Sequence, residues 1–143
     1  MLNFSRPTAP PSPNDLVWAF HGRNLVSELM GSQGAPIPLA SLQADFDEVN
    51  DLTSVGYLDE KPVYACKVRT SELDVMKYTS GNLFALLGRS SQALFDVVGR
   101  AYQLLNWERD HRYCGRCGRE TVLADKGQSR ACEPCGLSVY PRL

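Results

Sequence analysis

The chain has 143 residues, 43% hydrophobic and 22% charged, enough to bury one ordinary core and a small appendage. A formal net charge of −1 argues against a protein built mainly to hold nucleic acid. No apolar run approaches the roughly 18 residues of a membrane span, and the N-terminus lacks a charged region followed by an apolar one, so a cytoplasmic protein is expected.

Residues 1–15 carry Pro7, Pro10, Pro11 and Pro13 and read as a flexible, Pro-rich tail. Leu16 to Phe20 and Leu25 to Met30 read as strands around the turn signal His21-Gly22-Arg23-Asn24, which makes a β-hairpin. His21 is then a turn residue. Residues 31–41, with Gly31, Gly34, Pro36 and Pro38, form a loop, and Leu39 to Phe46 a short helix entered through Ser41. Thr53 to Leu58 and Pro62 to Val68 are two further strands joined by Asp59-Glu60-Lys61. The alternation of Val63 and Ala65 with Tyr64 and Cys66 leaves open which face is buried. Cys66, in that apolar run, is expected to be a buried, inert thiol. The acidic group Asp45, Asp47, Glu48 and Asp51 lacks a glycine-centred calcium loop and reads as a solvated face.

A long helix comes next, capped by Ser90 or Ser91, with Leu94, Val97, Val98, Ala101, Tyr102 and Leu105 at i, i+3, i+4 spacing. Trp107 closes the stripe, and the helix hands the chain directly to a cysteine-rich end. The expected architecture is α+β: a mixed or antiparallel sheet with a packed helix over residues 16–108, then a separate unit over 109–143.

Cys114-Gly-Arg-Cys117 and Cys132-Glu-Pro-Cys135 carry the chemistry of that unit. Two Cys-x-x-Cys knuckles fourteen residues apart can bring four sulfurs to one tetrahedral metal. Gly118 and Gly136 come directly after the knuckles, where the backbone must turn its N–H groups toward sulfur. Two disulfides and a rubredoxin-like iron centre are the other readings. Zinc is preferred, because the unit ends a larger domain and is no free-standing electron carrier. Cys114, Cys117, Cys132 and Cys135 are therefore the metal-ligand candidates for one structural zinc per chain, with no coordination position left for chemistry. Thr121-Val-Leu and Leu137 to Tyr140 read as short strands around Asp125-Lys-Gly-Gln. Residues 109–143 carry seven basic against four acidic residues, whereas residues 1–108 carry eight against twelve. A zinc tetrathiolate adds a double negative charge, so most of that basicity reads as compensation for the metal.

The run Trp107-Glu-Arg-Asp-His111-Arg-Tyr113-Cys114-Gly-Arg-Cys117-Gly, then Arg130-Ala-Cys132-Glu-Pro-Cys135, then Tyr140-Pro-Arg-Leu143, resembles the bacterial NADH pyrophosphatases, the zinc-ribbon branch of the Nudix hydrolases. Upstream, Tyr57-Leu58 and Pro62-Val-Tyr-Ala65 agree more loosely. The resemblance implies an N-terminal α/β region, a zinc ribbon and a C-terminal Nudix domain that hydrolyses NADH, NAD or NAD-capped RNA to AMP and nicotinamide mononucleotide products. It also implies a homodimer, and Mg²⁺ or Mn²⁺ held by a glutamate-rich helix of the Nudix domain. No such glutamate cluster occurs here: Arg119-Glu120, the only Arg-Glu pair, is succeeded by Thr-Val-Leu-Ala. The expectation is an N-terminal and zinc-ribbon portion with a scaffold and dimerisation role. It has no catalytic or cofactor-binding residues and is inactive alone. A stand-alone ribbon binding RNA or a protein, with Arg112, Arg116, Arg119 and Arg130 on phosphates, is the alternative.

Overall fold

A computed structural model describes residues 2–3, 10–83, 92–125 and 127–141. Among these residues the fold is α+β: a mixed seven-stranded sheet, two helices, and a small three-stranded unit at the C-terminal end. The strands of the large sheet are β1 (Leu2–Asn3), β2 (Leu16–His21), β3 (Asn24–Glu28), β4 (Ile37–Pro38), β5 (Glu48–Leu58), β6 (Lys61–Arg69) and β7 (Tyr78–Asn82). They lie in the order β1-β5-β6-β2-β3-β7, with β4 also paired to β2. The β2–β6 pair is parallel and the others antiparallel. Leu2 and Asn3 pair with Leu58 and Tyr57, so the N-terminal stretch contributes an edge strand there.

The expected hairpin forms as β2 and β3, with His21 opposite Asn24 and Gly22 at φ 63. That backbone region costs glycine nothing, which is why the turn falls there. The second strand is shorter than its sequence indicated. It ends at Glu28, and Leu29 and Met30 are exposed. Strand β5 is longer, beginning in the acidic group at Glu48, where a pairing irregularity between Asn50 and Thr53 accommodates Asp51 at φ 58. Strands β4 and β7 are additions. Tyr78-Thr-Ser-Gly-Asn is polar because β7 lies at the sheet edge and buries mainly its tyrosine.

Both faces of the sheet are covered, which settles the ambiguous alternation of β6. Helix α1 (Leu39–Asp45) covers one face, joining Leu39 and Leu42 to Val17, Ala19, Tyr64, Cys66 and Val68. Helix α2 (Gln92–Asp110) covers the other, packing Val98, Ala101, Leu104, Leu105 and Trp107 on Trp18, Phe20, Val63 and Ala65. A strand buried on both faces reads as a nearly continuous apolar run, and Val63 to Cys66 is one. Helix α1 starts after Pro38 and not through Ser41. Its first N–H groups, on Leu39 and Ala40, donate to the Asp15 and Pro13 carbonyls, so backbone of the N-terminal segment does the work of a side-chain cap. The Ser90 and Ser91 cap of α2 lies outside the described residues, as do Pro7, Lys126 and Arg142.

Cys66 is fully buried, and burial, followed by the charge of Asp51, pushes its thiol up to about 12. The native protein is therefore expected to leave Cys66 unalkylated by iodoacetamide at pH 8, and denaturant to expose it. Mass spectrometry of the Cys66 peptide checks this, and rapid native labelling would contradict the packing.

Candidate metal centre

Helix α2 delivers the chain to the centre with little slack. The His111 N–H continues the helical pattern by donating to the Trp107 carbonyl at 3.0 Å, and Cys114 is three residues further on. Three short strands, β8 (Val122–Ala124), β9 (Ser129–Ala131) and β10 (Ser138–Val139), form an antiparallel sheet in the order β10-β9-β8. The sequence indicated β8 and β10. The middle strand escaped notice because Ser-Arg-Ala has no strand signature of its own.

The two knuckles are built alike. The Cys114 N–H donates to the Arg119 carbonyl at 2.7 Å, and the Gly118 N–H returns to the Cys114 carbonyl at 2.8 Å. In the second knuckle Cys132 donates to Leu137, and Gly136 returns to Cys132, each at 2.8 Å. Gly118 and Gly136 have φ 79 and 75. Space around both is open, so the glycine is required by the backbone angle and not by crowding.

These turns bring the Cys114, Cys117, Cys132 and Cys135 sulfurs within 4.8 Å of one another. The shortest separations cross between the knuckles, Cys114 to Cys135 at 3.4 Å and Cys117 to Cys132 at 3.5 Å. A tetrahedral ion with bonds of about 2.3 Å to sulfur sets its ligands about 3.8 Å apart, so the spacing suits such an ion. It is far from the roughly 2 Å of a disulfide, and all five cysteines are free. Cys114 and Cys132 are buried, Cys135 is half-buried and Cys117 is exposed. Backbone N–H groups of Cys117 and Arg116 pull the Cys114 thiol well below its ordinary value. At Cys132 the Cys135 N–H acts the same way, but burial and the neighbouring sulfurs outweigh it and raise the thiol. Four thiolates this close need a cation among them to be ionised together.

The other candidates are placed elsewhere. His21 sits exposed at the hairpin end. Each of the four acidic residues has partners of its own. Asp45 accepts from Tyr78 at 2.7 Å and pairs with Lys77, Asp47 accepts from the Ser71 N–H, Glu48 faces Arg69, and Asp51 pairs with Arg112 at 2.7 Å. The four cysteines are the one convergent group of metal-ligand side chains among the described residues. Of the four arginines considered for phosphate, Arg112 and Arg130 are held by acids and Arg116 and Arg119 are exposed. Sequence reasoning overlooked Thr121, which is buried and accepts from Arg130. A signal was present: an arginine stands two residues before the first cysteine of each knuckle.

Residues 109–140 match the model of a family described as the NADH pyrophosphatase zinc ribbon domain. Relatives named NAD-capped RNA hydrolase NudC extend the match through the N-terminal portion. The protein of that name from Pseudomonas syringae pv. tomato is 34% identical over 116 residues, 80% of this chain and 41% of the relative. Those of Pseudomonas fluorescens (34% over 90 residues) and Pseudomonas entomophila (31% over 116 residues) cover 32% and 41% of their own lengths. The chain thus spans about a third to two fifths of the curated relatives it matches. The resemblance to NADH pyrophosphatases holds for the N-terminal portion and the ribbon together.

Proposed function

We propose that these residues serve as the N-terminal and zinc-ribbon portion of a hydrolase that cleaves the diphosphate of NADH, NAD or NAD-capped RNA. The convergence of four sulfurs at tetrahedral spacing, in a chain related to proteins named for that activity, carries this reading. Cys114, Cys117, Cys132 and Cys135 hold one zinc, which closes the two knuckles and supplies no reaction chemistry. The chain's own residues orient and do not cleave. Helix α2 fixes the ribbon to the sheet, and the ribbon holds a catalytic domain in a set direction. Diphosphate hydrolysis needs a divalent ion against the phosphates and an aligned water, and this reading assigns both to a glutamate-rich Nudix domain outside these 143 residues. The proposed partners are that domain and a second copy of the chain, in the cytoplasm, where the thiols stay reduced. Among the described residues no helix is long and apolar enough to cross a membrane.

Two measurements on the 143-residue chain test the reading. Protein purified without chelator is expected to carry close to one equivalent of zinc, lost in Cys132→Ser. With Mg²⁺ or Mn²⁺ and NADH it is expected to release no AMP, while a chain joined to a Nudix domain does. Zinc well below one equivalent would sink the metal assignment. Metal-dependent AMP release that survives Cys114→Ser and fails in Asp47→Asn would place catalysis in the sheet instead. The second reading, a ribbon gripping RNA through its arginines, is weakened by Arg112 and Arg130, which already answer to Asp51 and Glu108.

A further inference from the structure

Among the described residues, the ribbon contributes none to either hydrophobic cluster of the sheet and helices. Of its large apolar side chains, Tyr113, Val122, Leu123 and Tyr140 are exposed, and Leu137 and Val139 are half-buried. The large cores therefore do little to set its angle, and the connection from Asp110 to Cys114 is short. Besides the Trp107 and His111 rings, 6.0 Å apart between centroids, polar contacts bridge the two units.

Those contacts come in a matched pair. Arg112, two residues before Cys114, reaches Asp51 in β5 at 2.7 Å. Arg130, two residues before Cys132, reaches Glu108 in the last turn of α2 at 2.7 Å. Thr121 sits between them: its N–H donates to the Arg112 carbonyl at 2.9 Å, and its hydroxyl and carbonyl accept from Arg130 at 3.0 and 2.8 Å. The anchors differ in burial. The Arg130 and Glu108 side chains are 14% and 18% exposed, those of Arg112 and Asp51 46% and 26%. Asp51 holds φ 58, a region an aspartate tolerates but does not favour, at the pairing irregularity of β5. Strain kept at a position whose carboxylate meets the other unit points to a purpose beyond strand pairing.

We propose that Arg112 and Arg130 are positioning residues that set the ribbon's angle on the sheet, separately from the zinc that folds it. Arg130 on Glu108 is the pivot: mostly shielded from solvent, forked to three acceptors, and less affected by salt than the exposed pair. Arg112 on Asp51 is the latch, exposed enough to be screened. The inference deepens the orienting role assigned to the ribbon and rests on it for its purpose, but its geometry stands without any hydrolase activity.

Amide residual dipolar couplings on the zinc-loaded 143-residue chain test it. In low salt the wild type is expected to fit one alignment tensor across β2–β6, α2 and the ribbon. Glu108→Gln with Asp51→Asn keeps shape and removes both charges, and asparagine tolerates the φ of Asp51. That double variant is expected to keep one zinc and the ribbon's own chemical shifts, while the ribbon needs a second tensor. In 0.5 M NaCl the wild type should shift as Asp51→Asn alone does. Arg130→Lys should not rescue the angle, because an ammonium cannot fork to Glu108 and Thr121 together. A single tensor in the zinc-loaded double variant would overturn the proposal. So would loss of zinc from it, since the arginines would then belong to the ribbon's internal fold. A missing AMP signal, by contrast, bears on the hydrolase reading and leaves this one untouched.

Discussion

Removing the metal with a strong chelator is expected to unfold residues 109–140 and leave the sheet and most of α2 folded. The buried residues of the ribbon among those described are Cys114, Thr121, Ser129 and Cys132, none of them a large apolar side chain. A unit that buries so little cannot offset the ordering of its backbone, so its folding free energy is mostly metal-binding free energy. Structural zinc in small modules supplies on the order of 10–16 kcal/mol at neutral pH, which makes the effect all-or-none. The sheet has its own cores, containing Trp18, Phe20, Val63, Leu105 and, on the other face, Val17, Leu42, Cys66 and Val68. Hydrogen exchange with and without chelator reads the boundary. The Gly118 and Gly136 amides, bonded inside the knuckles, should lose protection entirely. Amides of Ala19, Cys66 and Val98 should keep theirs. The last turn of α2 is expected to fray as well, since Glu108 loses its 2.7 Å contact to Arg130. Uniform loss of protection along the chain would show that the ribbon and sheet fold as one unit.

The metal centre is the most legible part of the sequence because its geometry is local. A Cys-x-x-Cys turn ending in glycine specifies its own backbone, and Gly118 and Gly136 take the left-handed angles that the spacing demands. The β2–β3 turn and the α2 stripe are legible for the same reason, each encoded within a few residues or one periodic face. The features that escape a sequence reading depend on neighbours far along the chain. β2 lies parallel to β6 across more than forty residues, and no local pattern announces that pairing. β7 is polar because an edge strand exposes much of its surface, so Tyr78-Thr-Ser-Gly-Asn resembles a loop. The acidic start of β5 reads as a solvated face, yet Glu48 and Asp51 are strand residues with individual partners. In the sequence Arg112 and Arg130 read as charge compensation or phosphate contacts, since only the folded chain brings Asp51 and Glu108 to them.

Replacing Phe20 with alanine is expected to cost about 3–5 kcal/mol, the usual range for emptying a fully buried aromatic site. Phe20 lies in β2, between β6 and β3, with no exposed surface. Its ring meets Tyr102 of α2 at 4.9 Å between centroids, tilted by 52°, so it joins sheet and helix directly. The site cannot collapse easily. Val63 and Ala65 are fixed by β6 pairing on both sides, and Tyr102 is also held under the Lys67 ammonium, 4.8 Å from its ring. A domain of this size has only about 5–15 kcal/mol to lose, so the variant should show a large fall in urea midpoint with little change in slope. Phe20→Leu, which fills most of the volume, should cost less than half as much, and Val122→Ala on the exposed ribbon strand no more than about 0.5 kcal/mol. Zinc content separates the two units within the same experiment. The ribbon shares no core residue with Phe20, so the variant should retain one equivalent of zinc at urea concentrations that already unfold its sheet. Zinc released in step with the sheet transition would mean that the ribbon needs the sheet to hold its metal. A loss below about 1 kcal/mol would mean that α2 does not rest on β2 as described.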